Sequence, residues 1–293
     1  MLDHLLAAIP SPGFDRISLG PLTIRLYGIA IALGVIAAVE IGRRRWVARD
    51  LAPGEAEHDP DDIVLIAQWG VPAGLVGARL YHVITDWHRF SGDPLKIFKI
   101  WEGGLGIPGG LILGVGVGAW YVRSRGWNLW SLIDTIIPGI PVAQAIGRLG
   151  NWFNQEVYGR PTDLPWALEI DPDHRVAGYE SFATFHPTFL YEGLWNLALA
   201  AFLVWLDSKK VLRSGQILPV WIIGYGLGRF LVESVRIDEA TMLAGLRVNT
   251  WVSGAAIVMG AVWLLVWNGR AAEAAAGVAE PISDGDALDI EAE

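Results

Sequence analysis

The chain has 293 residues, of which 53% are hydrophobic and 18% charged, and its mean hydropathy is +0.38. Soluble domains carry about 25% charged residues, so this composition excludes an ordinary water-soluble enzyme. With 15 Trp and 35 Gly, it points instead to an integral membrane protein with closely packed helices and interfacial indoles. The sequence has no cysteine, which excludes disulfides, thiolate metal sites and an enzyme thiol nucleophile. The net charge of −9 collects in the C-terminal tail and around residues 55–62, and no nucleic-acid partner is expected. Residues 1–20 contain Pro10, Pro12 and Asp15 and lack a basic segment followed by a long apolar core, so no cleavable signal peptide is expected.

A helix needs about 20 mainly apolar residues to cross the hydrocarbon core. Seven stretches qualify, at residues 22–41, 63–84, 104–122, 129–147, 188–206, 216–235 and 250–267. Pro108 interrupts the third and Pro138 and Pro141 the fourth, which neighbouring helices or polar side chains can accommodate. Arg43, Arg44, Arg45 and Arg49 follow the first span, Arg123 and Arg125 the third, and Lys209, Lys210 and Arg213 the fifth. These short loops fall on one side, which the positive-inside rule makes cytoplasmic.

The expected fold is therefore an all-α polytopic membrane protein of about seven transmembrane helices, N-terminus out and C-terminus in. Residues 1–21 suit a segment on the bilayer surface, and residues 85–102, with Trp87, Phe90, Phe98 and Trp101 among Lys and Arg, suit an interfacial helix. Residues 148–187 read as a small folded head on the outer, periplasmic or extracellular, face, with an extended stretch at 166–170. Residues 1–267 then form the membrane domain. Residues 268–293, rich in Ala, Glu and Asp, form a disordered cytoplasmic tail. No internal repeat suggests a transporter of duplicated halves. Gly70, Gly74 and Ala78, and likewise Gly110, Gly114 and Gly118, recur at four-residue spacing. Such stripes let helices pack closely and are compatible with a groove for a lipid tail.

Polar residues gather at the outer ends of the spans. The fourth ends in Gln144-Ala-Ile-Gly-Arg148-Leu-Gly-Asn151-Trp-Phe-Asn154-Gln-Glu156-Val-Tyr158-Gly159. An Arg at such a boundary either snorkels to the interface or binds an anion. Asn151, Asn154 and Glu156, all close behind Arg148, favour the second reading: a bidentate guanidinium on phosphate oxygens, with amides on hydroxyls. Arg148 and Asn151 share a face if the helix continues. In the sixth span Tyr225, Arg229, Glu233 and Arg236 stand at i, i+4, i+8 and i+11, a single polar stripe. Either Arg229 and Glu233 neutralise one another, or Glu233 holds Arg229 toward a phosphate. Tyr27, at the outer end of the first span, is an interfacial anchor or a headgroup contact. His82 and His186 make no metal-ligand pattern. The glycines between Glu102 and Gly110 suggest backbone close to a ligand.

The run at 147–159 resembles the signature of the prolipoprotein diacylglyceryl transferases, with Arg148, Asn151, Asn154, Glu156 and Gly159 at that family's spacing. Arg25-Leu-Tyr27-Gly28, Glu102-Gly-Gly-Leu, His186-Pro-Thr with Tyr191-Glu192, and Tyr225-Gly-Leu-Gly-Arg229-Phe-Leu-Val-Glu233 extend the resemblance over the chain to about residue 267. The resemblance implies an enzyme of the bacterial inner membrane, its site toward the outer leaflet, with no metal or soluble cofactor. Its substrates would be phosphatidylglycerol, within the membrane lipids, and a preprolipoprotein signal peptide bearing a lipobox Cys. The diacylglyceryl group would pass to the Cys thiol as a thioether, releasing glycerol 1-phosphate. Many members carry a His where this chain has Pro108, and Pro cannot accept a proton, so no base role is carried onto that segment.

On this reading Arg148, Arg229 and Glu156 are catalytic. The two arginines stabilise the leaving phosphate, and Glu156 orients them or accepts the thiol proton. Tyr27, Asn151, Asn154, Gly159, Tyr225, Glu233 and Arg236 complete the phosphatidylglycerol site, Glu233 by orienting Arg229. The competing class is a lipid- or anion-binding transporter without transferase activity. Transport needs polar residues spread across the bilayer, whereas these cluster at one end, Asp134 being the main exception. A paralogue that binds lipid without transferring it is a third possibility, kept open by Pro108.

Overall fold

A computed structural model describes residues 8–20, 22–49, 57–100 and 103–278. A short hairpin comes first: β1 (Arg16–Leu19) pairs antiparallel with β2 (Leu22–Arg25). Eight α-helices follow among the described residues, α1 (Leu26–Val47), α2 (Pro60–Thr85), α3 (Ile107–Ser124), α4 (Leu129–Ile136), α5 (Gly139–Phe153), α6 (Thr188–Ser208), α7 (Ile217–Glu233) and α8 (Val248–Val278). Among the described residues five helical segments are long and apolar enough to cross a membrane: α1, α2, α4 with α5 as one unit, α6, and residues 248–268 of α8. The remaining long helices, α3 and α7, have 18 and 17 residues and coincide with the third and sixth apolar stretches.

Local chemistry explains most boundaries. Asp59 and Asp62 form a reciprocal capping box at the start of α2, with Pro60 in its first turn. Asn128 caps α4 by accepting from the backbone N–H groups of Trp130 and Ser131. Pro108 sits in the first turn of α3, where its missing N–H is harmless. Pro138 lies at the break between α4 and α5, so the fourth apolar stretch is a bent pair of helices.

In the bundle each helix packs on the next in the order α3, α2, α1, α5, α6, α7, α8, and α4 touches α1, α3 and α7. The α2–α3 contact is made by glycines: a Cβ on Gly77 would lie 2.3 Å from the Gly109 carbonyl oxygen. Beyond α5 the chain builds a small head around Tyr158, Leu168, Ile170, Phe185 and Phe189. Its short ladder pairs β3 (Leu168–Glu169) with β4 (Thr184–Phe185). A last hairpin of β5 (Met242–Leu243) and β6 (Leu246–Arg247) leads into α8.

Four expectations are corrected. Residues 22–25 are a strand, because their N–H and C=O groups pair with β1, and the first helix starts at Leu26. Residues 87–89 and 94–98 form two short 3-10 turns rather than one interfacial helix. The Arg79 guanidinium donates to the carbonyls of Ile97, Gly103 and Gly104 at 2.8, 2.6 and 3.0 Å and so folds that segment back on α2. The helix bearing Arg148 runs on to Phe153, so the head begins after it. Finally, α8 continues to Val278, and the Ala-rich start of the expected tail is helical, in keeping with the high helix propensity of Ala. Residues 279–293, Trp101 and Glu102 lie outside the described residues.

Candidate active site

The last two turns of α5 carry the first half of the site. Because the helix continues through residue 153, Arg148 and Asn151 do share a face, and Arg148 Nη1 donates to Asn151 Oδ1 at 3.1 Å. Gly150 is helical, and its bare Cα accommodates the Tyr27 ring: a Cβ there would lie 2.4 Å from Tyr27 Cδ2. After the helix the backbone turns sharply, with Gln155 at φ 51° and Val157 at φ 53°. A β-branched residue in this left-handed region is strained, and the surroundings hold it. The Thr188 hydroxyl donates to the Val157 carbonyl. The Gln155 amide donates to Asp171 Oδ2 at 2.6 Å and accepts from the Asp171 N–H at 2.8 Å. The turn brings the Glu156 carboxylate back over the helix end, where Oε1 accepts from Asn151 Nδ2 at 2.8 Å and Asn154 Nδ2 at 3.2 Å.

The second half comes from α6, α7 and the loop before α8. Glu192 of α6 is buried between two arginines, with Arg148 Nη2 paired to one oxygen and Arg229 Nη1 2.8 Å from the other. Arg229 Nη2 lies 2.7 Å from Glu233 Oε2, one turn along α7. Glu233, fully buried, also pairs with Arg247 Nε at 2.5 Å. Arg247 reaches Asp238 at 3.1 Å, and Asp238 takes a bidentate pair from Arg236 at 2.7 and 2.8 Å. Burial opposes charge on both Asp238 and Arg236, but their mutual pairing together with the charges of Arg247 on Asp238 and of Glu233 and Glu192 on Arg236 outweighs it. Asp238 is held below its ordinary carboxylate value and Arg236 above its own. Four guanidinium groups against three carboxylates leave this chain of ion pairs one charge positive.

Beside Arg148 opens an apolar cavity of about 620 Å³, walled by α1, α2, α3, α4 and α5. Among the described residues its polar side chains are Tyr27, Gln144, Arg148 and Asn151. Gly70, Gly114 and Gly118 form part of the opposite wall, so the glycine stripes both pack helices and open space. The arrangement offers a cationic, hydrogen-bonding end and a long oily interior, which fits an amphiphile with an anionic head.

The candidate residues thus separate into groups. Tyr27, Arg148 and Asn151 meet at the cavity, and Asn154 and Glu156 sit behind Asn151. Arg229 and Glu233 join Arg148 through Glu192. Tyr225 shares a small crevice with Glu192, Asn196 and Arg229 and stacks on Trp221. Gly159 and Arg236 pair with each other in a β-bridge, and a Cβ on Gly159 would lie 2.8 Å from His186 Cβ. The expectation that Glu156 orients the arginines is corrected: its contacts are the two asparagine amides, and Glu192 takes the orienting role. Glu192, Arg247 and Asp238 are the members sequence reasoning left without a role. For Glu192 a signal existed, since a lone carboxylate within an apolar span is costly unless paired. Arg247 and Asp238 sit in a loop and give no such signal.

The family described as prolipoprotein diacylglyceryl transferase matches residues 16–267. A phosphatidylglycerol–prolipoprotein diacylglyceryl transferase of Streptomyces coelicolor is 49% identical over 265 residues, covering 89% of this chain and 81% of that protein. Similarly named proteins of Streptomyces griseus and Cutibacterium acnes are 47% and 46% identical, covering 89% and 88% of this chain and 78% and 86% of their own lengths. The chain belongs to the prolipoprotein diacylglyceryl transferase family.

Proposed function

We propose that this chain transfers the diacylglyceryl group of phosphatidylglycerol to the lipobox cysteine thiol of preprolipoproteins, the first step of bacterial lipoprotein maturation. The observation that carries this reading is the convergence of Arg148, which lines the apolar cavity, and Arg229 on the buried Glu192. In the reaction the sulfur–carbon bond of the thioether forms, and the bond between the glycerol carbon and the phosphate ester oxygen breaks. Both bonding electrons go to the departing glycerol 1-phosphate.

The main catalytic need is to stabilise charge on the leaving phosphate. Arg148 and Arg229, pre-positioned by Glu192, Glu233 and Asn151, meet it in a site of low dielectric. Asn151 and Asn154 bind glycerol hydroxyls, and Tyr27 and Tyr225 flank the headgroup. Gly159 and Arg236 contribute by holding the edge of the head against the end of α7. The arginine pair lowers the pKa of the incoming thiol, and Glu156 is the nearby carboxylate able to take its proton. Pro108, in the first turn of α3, takes no part.

We further propose that α3 and α7 also cross the membrane, giving seven spans within a catalytic domain of residues 1–267. At 18 and 17 residues they meet the lower limit of about 17 for a span. Each also runs antiparallel along a longer helix: Gly109 and Gly114 of α3 lie against Gly77 and Gly70 of α2, and Gly226 and Pro219 of α7 face Ser253 and Gly260 of α8. The short basic loops then put the N-terminus and the site outside and the C-terminus in the cytoplasm of an inner-membrane protein.

The test is transfer from labelled phosphatidylglycerol to a lipobox peptide by the purified protein. The expected result is a thioether-linked diacylglyceryl peptide and free glycerol 1-phosphate. Unmodified peptide with intact bound lipid would sink the transferase reading.

A further inference from the structure

The hairpin between α7 and α8 has two faces with different partners. Its register sets Met242 opposite Arg247 and Leu243 opposite Leu246, so Leu243 and Leu246 share the face that Arg247 does not occupy. Arg247 turns inward, onto Glu233 at 2.5 Å and the Asp238 carbonyl at 2.8 Å. Leu243 and Leu246 are exposed, and no charged residue occurs from 240 to 246. The turn is Ala244-Gly245, both in the left-handed region at φ 48° and 78°. A turn of this kind facing water favours Asn or Asp before the Gly. Ala at that position leaves the tip apolar throughout.

Two hydrogen bonds fix the direction of the hairpin. The Val248 N–H donates to the Thr241 carbonyl at 2.9 Å, and the Trp251 indole donates to the Leu243 carbonyl at 2.9 Å. The strand from Thr241 to Leu243 therefore runs beside the first turn of α8, and Leu243 reaches the level of Trp251, about 4.5 Å along the axis from Val248. Residues 248–268 are long and apolar enough to cross a membrane, and Trp251 and Val252 are exposed on that span. The apolar tip thus continues a surface that a bilayer covers, beside an indole of the kind that marks the headgroup boundary. Backbone in this layer needs its polar groups paired, and the Leu243 carbonyl is paired by Trp251. We propose that the tip of the β5–β6 hairpin inserts into the boundary between headgroups and acyl chains, and that this lipid contact holds Arg247 on Glu233. Arg247 is then a positioning residue, since Glu233 in turn holds Arg229. Insertion stands apart from the proposed transferase reading; its effect on turnover rests on that reading.

The chain has no cysteine, so a nitroxide on a single Leu243→Cys reports the tip alone. In vesicles of phosphatidylglycerol and phosphatidylethanolamine, its collisions with oxygen and with a water-soluble nickel chelate read its depth. Labels on Val258→Cys in α8 and Asp173→Cys in the head, both exposed positions, give the lipid and water references. The Leu243 label should collide with oxygen more than with the chelate, before any peptide is added. Leu243→Asp, labelled at Leu246→Cys, should reverse that ratio and lower transfer to a lipobox peptide several-fold, in kcat more than in KM. Leu243→Phe should keep both insertion and turnover. A Leu243 label that meets mainly the chelate would overturn insertion. So would one shielded only after peptide is added, which would make the tip a peptide contact. A Leu243→Asp tip that sits in water while turnover is unchanged would overturn the link to Arg247. A wild type whose tip inserts but which transfers nothing would overturn the transferase reading and leave insertion standing.

Discussion

The bundle carries two buried ionic networks, one at each end of α1, and they are built differently. Tyr27 and Arg45 mark the two ends, separated by 18 residues of helix, about 27 Å. At the Arg45 end, Asp134 accepts from the backbone N–H groups of Gly215 and Ile217 at 2.6 and 3.2 Å and faces Arg49 at 3.6 Å. Arg45 donates to Asp207 at 2.7 Å and to the carbonyls of Thr135 and Asp134 at 3.0 and 3.2 Å. Asp134 and Arg45 are each tied to main chain as well as to a counter-ion, so the network fastens α1, α4, α6 and the start of α7 together. At the Tyr27 end, Arg148 and Arg229 are held by side chains alone, on one shared carboxylate, beside a cavity. Arginines so held can exchange part of their pairing for a ligand's phosphate, whereas an aspartate locked to backbone amides has no such freedom. Burial and charge, common to both networks, do not separate structure from function here; the source of the partners does.

The sharpest way to break this comparison is to delete one member of each network. Arg229→Ala should lower the rate of transfer to a lipobox peptide by about 10²–10³, the usual worth of one preorganised charge-stabilising donor, with a modest change in unfolding temperature in detergent. Asp134→Ala should do the reverse. It leaves two buried backbone N–H groups without an acceptor and takes from Arg49 one of its two carboxylates, and should cost about 2–5 kcal/mol of stability, while the protein that remains folded keeps its turnover. Loss of turnover in both variants, scaled to the folded fraction, would remove the distinction.

A smaller effect is expected from Glu192→Gln. The amide keeps the size and one acceptor but not the charge, so Arg148 and Arg229 lose their common anchor. Transfer should fall roughly tenfold to a hundredfold, less than on removal of either arginine, since charge-assisted hydrogen bonds are worth about 1.5–3 kcal/mol. A Glu192→Gln enzyme as slow as Arg229→Ala would make Glu192 a direct participant instead of an anchor.

Next comes Gly150→Val, which drives a side chain into the Tyr27 ring. It should raise the KM for phosphatidylglycerol several-fold with less effect on kcat, because it shifts a wall of the cavity while both arginines stay in place. A fall in kcat alone would place Tyr27 in the chemical step.

The smallest effect concerns acid. His186, in the head at the Tyr27 end, is held below its ordinary value of 6.5 by burial and by the charge of Arg160. The folded protein therefore disfavours the proton that the unfolded chain binds. Its stability is complete above pH 6.5 and declines as the pH falls through 6.5 toward the folded value. His186→Gln should flatten thermal stability between pH 7.5 and pH 5.5. An unchanged decline would assign the acid sensitivity to other groups.

Most of the architecture was legible because it follows from one-dimensional properties. Apolar runs long enough to cross a bilayer located every long helix, and glycines at four-residue spacing marked the α2–α3 contact. The Arg148–Asn151 pairing followed from helical periodicity once the helix was allowed to continue. The start of α1 was misplaced because residues 22–25 are as apolar as a helix end. Only the long-range pairing with β1 makes them a strand.

The sequence by itself determined the membrane class, the family and the presence, at the end of the fourth span, of an arginine that needs a ligand or a counter-ion. The physical reason is that burying a guanidinium without a partner is costly, so its mere occurrence in an oily segment signals a ligand or a counter-ion. Tertiary structure alone decided which counter-ion. Arg148 and Arg229 lie far apart in sequence and meet on Glu192 of a third helix, and Glu156, the nearest acid in sequence, serves two asparagines instead. Ion pairing falls off over a few ångströms, and distances on that scale between separate helices are set by packing.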